Sequence, residues 1–147
     1  MAYNVYEIAN LILRLANNVY GSEPISNMKL QKLLYYEQGY HLAYFDEPLF
    51  DEEIEAWKFG PVVPQIYDKY KIYHDSPILP EDGDVLIEGE HYELFYNVFT
   101  FFNRFSAFGL MEKTHSEEPW LITYKNGAGS SHVIPKSSIS DFFKKVL

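Results

Sequence analysis

Cysteine is absent from the 147 residues, which removes disulfides, thiolate metal sites and a cysteine nucleophile together. Positive charge is scarce. Lys and Arg number 12 against 21 Asp and Glu, a net charge of −9, and Arg14 and Arg104 are the arginines. So acidic a chain repels phosphate backbones, so direct binding to nucleic acid is not expected. The opposite expectation, a basic protein partner, fits the same charge. No apolar run reaches the roughly 18 residues of a transmembrane helix. The N-terminus has no basic leader, and Glu7 and Arg14 interrupt its apolar stretch, so no signal peptide is expected. These absences point to a soluble, cytoplasmic protein. No repeat of about 20–50 residues, low-complexity tract or linker divides the chain, and one domain spanning residues 1–147 is expected.

What the chain has in excess is rings. Thirteen Tyr, eleven Phe and two Trp make up 18%, within an ordinary 47% apolar and 22% charged composition. So many large side chains fill a core or make an adhesive face. Helical spacing dominates. Val5, Ile8, Ala9, Ile12, Leu15, Ala16 and Val19 recur at i, i+3, i+4, with Gly21 as a stop. Ser26 is placed to cap a second helix to about Tyr44, stapled by Ile25 and Leu30. Gly39 in its middle costs about 1 kcal/mol relative to Ala, which suggests that another backbone passes close by. Ile54, Ala56 and Lys58 alternate with Glu55, Trp57 and Phe59 as in a strand, with Pro48–Phe50 as its expected partner. Gly60 and Pro61 then form a rigid strand-to-helix corner, and Pro64 opens a helix.

Val85, Leu86 and Ile87 suggest a short strand. Leu94, Phe95, Val98, Phe101, Phe102 and Phe105 predict a long apolar helix, expected to be the central one, with Phe99 off its main face. A short helix is expected around Leu110 and Met111, and another opening at Pro119, followed by a flexible loop over residues 126–131. Ile139, Phe142, Phe143 and Val146 predict the last helix, loosely capped by Ser138 and Asp141. The fold class expected is mainly α: a compact helical bundle with a small β-hairpin or short strands.

Chemistry is sparse. The five histidines show no i, i+4 pair; His115 and Glu118 could share a helix face, but a metal needs at least one more ligand. The GAGSS stretch lacks the Gly-Lys-Ser/Thr ending of a phosphate loop, and no G-x-S-x-G elbow is present. No catalytic residue, metal or cofactor is expected. Two segments instead combine core-type residues with polar ones that packing would not demand: Lys29, Gln31, Lys32 and Tyr35 in one, Thr114 and His115 in the other.

The runs KLQKLLYY (29–36), PLF (48–50), AWKFGPVVPQIY (56–67) and THSEEPW (114–120), in this order, resemble the Panacea antitoxin domain. This is a SocA-like family often described as phage-associated proteins. The resemblance implies a small, mostly helical domain with a little β-structure. It also implies a place in a toxin–antitoxin system, in which a cognate protein toxin is neutralised mainly by binding. A proteolytic-adaptor role, delivering the toxin to a protease, is the related alternative. An enzyme using His115 and Glu118 is the alternative from another class. The family brings no established catalytic residues to carry over. For the contact surface, the helix start is expected to present Lys29 and Lys32 on one face with Gln31 and Tyr35. Their neighbours would be Trp57 and His115, while Gly60, Pro61, Pro119 and Trp120 give shape. Two lysines at a helix start run against the dipole preference, which is the motive for a functional role.

Overall fold

Ser26 caps the helix around which the chain is built. Its side-chain oxygen accepts the Lys29 amide at 3.2 Å, and Ile25 and Leu30 are both buried across the cap, the expected staple. The helix, α2 (Asn27–Phe45), ends where Asp46 turns into the left-handed region at φ 56° and returns its amide to Leu42. The computed structural model describes residues 2–21, 23–85 and 87–147. Among these it adds α1 (Val5–Asn17), α3 (Pro64–Tyr70), α4 (Gly89–Phe102), α5 (Ala107–His115), α6 (Glu118–Tyr124) and α7 (Lys136–Val146). Three short strands, β1 (Ile54–Trp57), β2 (Gly60–Val62) and β3 (His132–Ile134), form one antiparallel sheet in the order β2-β1-β3. Trp57 faces Gly60 across the hairpin, and Ile54 faces Ile134 on the other edge. The fold is mainly α with a minor β component, as the periodicity predicts.

The central element is α2, not the phenylalanine-rich helix. It packs against α1, α3, α4, α5, α7 and β2, and it is buried on every face from Lys29 to Gly39. Helix α4 instead buries one stripe, Phe95, Val98, Phe99 and Phe102. Phe99 therefore belongs to the core, whereas Phe101 is 47% exposed beneath the Arg104 guanidinium, 4.4 Å from its ring centre. Phe105, beyond the helix end, is half-buried. The i, i+3, i+4, i+7 set starting at Phe95 includes Phe99 and excludes Phe101, and that stripe decides.

Other expectations are corrected in detail. Pro48–Phe50 is not a strand; the Gln38 side chain accepts the Leu49 amide at 2.7 Å and donates to the Phe50 carbonyl at 2.8 Å, taking the place of a ladder. Val85 and Ile87 lie outside any strand, and Leu86 falls outside the described residues. Gly60 and Pro61 lie in a hairpin strand rather than at a strand-to-helix corner, although Gly60 does take a φ of 117°. The 126–131 loop leads into β3, with the Ser131 amide donating to the Ala56 carbonyl at 2.7 Å. Pro135, not Ser138, flanks the start of α7, with no side-chain cap. What passes Gly39 is a ring rather than a backbone: a Cβ there would run into the Phe143 side chain of α7.

Candidate functional site

The polar residues of KLQKLLYY are mostly inside the protein. Lys29 and Lys32 are 0% and 2% exposed, so the exposed lysine face expected at the helix start does not exist. Between them they pin other segments of the chain to α2. Lys29 Nζ donates to the Asn103 carbonyl at 3.0 Å, with a Glu23 carboxylate oxygen at 3.9 Å. Gln31 accepts the Val63 amide at 2.8 Å and donates to Asn27 Oδ1 at 2.9 Å. Lys32 Nζ reaches the Pro61 carbonyl at 3.5 Å. Tyr35 and Tyr36 both donate to the Glu117 carboxylate, at 3.3 and 3.1 Å. Buried backbone carbonyls and amides need partners, and α2 supplies them in series.

THSEEPW mirrors this from the other side. Thr114 is fully buried, its hydroxyl donating to the Met111 carbonyl at 2.8 Å. Pro119 sits in the first turn of α6, as predicted. Trp120 Nε1 donates to the Trp57 carbonyl at 2.8 Å, and its ring stacks between His115 and Tyr124 at 4.0 and 4.5 Å. The hairpin is thus held by α2 beneath and by Trp120 beside. Gly60 is required where they meet, since a Cβ would stand 2.5 Å from Lys32 Cε and 3.0 Å from the Thr114 hydroxyl.

Titration follows burial. Loss of water lowers Lys32 to about 7, since its ammonium gains little in return. Desolvation lowers Lys29 too, partly offset by Glu23. Burial raises Glu117 to about 7 against the hydrogen bonds from Tyr36 and Tyr35, and it raises Glu37, whose Oε2 has no hydrogen-bond partner. His115 is lowered by desolvation and then by the Lys32 charge.

Between the first turns of α2 and the hairpin lies a groove of about 460 Å³. Met28, Trp57, Phe59, Val62 and Tyr67 make it apolar, and Gln31 and Lys32 form part of its lining. Trp57 is fixed there by its indole N–H to Glu55 at 2.9 Å and by edge contact with Tyr67 at 4.9 Å. Of the residues singled out in the sequence, the structure brings Gln31, Lys32 and Trp57 together at this groove. Lys29, Tyr35 and His115 lie elsewhere, in the bonds described above. His115 and Glu118 do not converge: Glu118 pairs with Lys145 at 3.3 Å, and His115 stacks on Trp120. Among the described residues no group of three or more acidic or histidine side chains is placed to hold a metal. Sequence reasoning missed Gln38, Asn103 and Glu117 as internal anchors. Glu117 sits in an acidic pair that reads as solvated.

A small helical domain whose two polar motifs brace a hairpin beside an apolar groove is the class of protein defined here. The chain belongs to the SocA-like antitoxin family, the Panacea domain, whose model matches residues 30–121. It is 48% identical over 60 residues to the "Antitoxin SocA" of Caulobacter vibrioides (strain NA1000 / CB15N). That match covers 41% of this chain and 31% of the relative, so the chain aligns with about a third of the relative's length. No solved structure matches the chain.

Proposed function

We propose that this protein is an antitoxin that neutralises a cognate protein toxin by direct binding, without catalysis and without a cofactor. The 48% identity to an antitoxin across 60 residues carries this reading. The apolar groove, in a chain of net charge −9, supports a protein partner in preference to nucleic acid. No helix among the described residues is long and apolar enough to cross a membrane, consistent with a partner met in solution.

The test is co-expression with the toxin candidate encoded beside it, scoring growth, followed by titration of purified toxin activity. A binder restores growth and silences the toxin with a sharp end point at a fixed molar ratio. Neutralisation far below stoichiometry would overturn the non-catalytic reading. Rescue that disappears when the host protease is deleted would replace direct neutralisation by delivery for degradation.

A further inference from the structure

The groove contains a charge that the fold itself does not use well. Lys32 lies in its lining, yet among the described residues no carboxylate comes within ion-pair distance of the amine. Its bond to the Pro61 carbonyl is long, at 3.5 Å, and an ammonium has three donors to satisfy. Lys29, one turn earlier, has both a closer carbonyl and a Glu23 oxygen. A buried cation so poorly matched lowers stability, and an apolar side chain would fill the same volume without that cost. The charged side chains lining the groove are Lys32, Lys58 and Asp75. They lean positive in a chain that is strongly negative. The same lining includes the rings of Trp57 and Phe59, the latter 53% exposed.

We propose that this groove receives a segment of the partner protein that carries a carboxylate beside a large apolar side chain. The carboxylate meets the Lys32 amine, and the apolar group lies against Trp57 and Phe59. The arrival of an anion supplies the missing counter-charge as a charge-assisted hydrogen bond. The apolar neighbour provides burial that a free anion would lack. Calling the partner a toxin rests on the antitoxin reading; the chemistry of the groove does not.

Two arms keep these claims separate. In the first, the isotope-labelled full chain is titrated with N-acetyl-Phe-Glu-Leu-amide, its Gln isostere, and benzoate, and followed by NMR. The expected result is shifts at the Trp57 indole N–H and the Gln31 side-chain amide. They should be at least tenfold weaker for the Gln peptide, for benzoate, and for the Lys32→Met variant. Equal response to Glu and Gln, or shifts away from the groove, overturns the proposal. Benzoate binding as well as the peptide would make this a small-molecule site and overturn it too. Phe59→Glu places a like charge at an exposed position and serves as a second variant, expected to abolish the response with the fold intact. In the second arm, both variants are assayed for toxin neutralisation, with at least tenfold loss expected. Full neutralisation by both variants overturns the groove as the toxin's contact. A wild-type chain that neutralises nothing overturns the antitoxin reading, while the peptide arm still decides the groove.

Discussion

Two buried residues carry opposite pH signatures. Lys32 falls from an ordinary 10.5 to about 7 in the folded protein because it is desolvated. Between those values the unfolded chain holds the extra proton, so stability should rise from pH 7 towards 10, with the full penalty present below 7. Lys32→Met should remove that slope and stabilise the protein at neutral pH by about 1–4 kcal/mol. Glu37 is raised by the same cause, so here the folded state holds the extra proton. Its stability contribution is present in acid and is lost as pH rises above the ordinary carboxylate value. Glu37→Gln should therefore stabilise increasingly from acid to neutral pH. Denaturant midpoints measured across the pH range check both, and parallel wild-type and variant profiles would refute the burial argument. The burial of neither side chain was legible in the sequence. Lys and Glu on a helix read as solvated, because burial of a charge depends on carbonyls and elements far along the chain.

At the scale of elements, strand boundaries and loop anchors were the least legible features. The 48–50 segment reads as a strand from its composition, yet Gln38 holds it by a side-chain amide that imitates a neighbouring strand. Gln38→Leu keeps most of the volume and leaves the Leu49 amide and Phe50 carbonyl without that partner. The expected loss is about 1–3 kcal/mol, with faster amide exchange confined to the segment after α2. Unchanged exchange at Leu49 and Phe50 would show that the side chain is dispensable. Caps and proline positions were legible because their causes are local. Ser26 accepts an amide three residues away, and Pro64 and Pro119 occupy first turns where no N–H is needed. Strand β3 was invisible: three residues carry no period, and its pairing partner, β1, lies more than seventy residues earlier.

For the whole molecule, the aromatic surplus has become the seam between helices. Phe102 of α4 stacks on Tyr36 of α2 with ring centres 4.0 Å apart, and Phe143 of α7 meets Tyr35, Tyr36 and Tyr40 edge-on. Phe102→Ala should cost about 3–5 kcal/mol, since it removes a buried ring and leaves a cavity inside the seam. Chemical denaturation measures this directly, and a loss below 1 kcal/mol would mean the seam collapses around the gap. The same seam explains Gly39, the one place in α2 where a helix-weakening residue lets Phe143 approach.

By itself, the sequence determined the helices with strong periodicity, their caps, the mainly α class, and the family, because each rests on residues close together or on ordered motifs. Tertiary structure alone decided which helix is central and where the polar motif residues point. It turned Lys29, Gln31, Lys32 and Tyr35 from an expected surface into internal braces, and it set Gln31, Lys32 and Trp57 beside one groove. The physical reason is that most of these polar side chains go inside because a backbone group or carboxylate far along the chain receives them. That partner's position is a property of the packed chain.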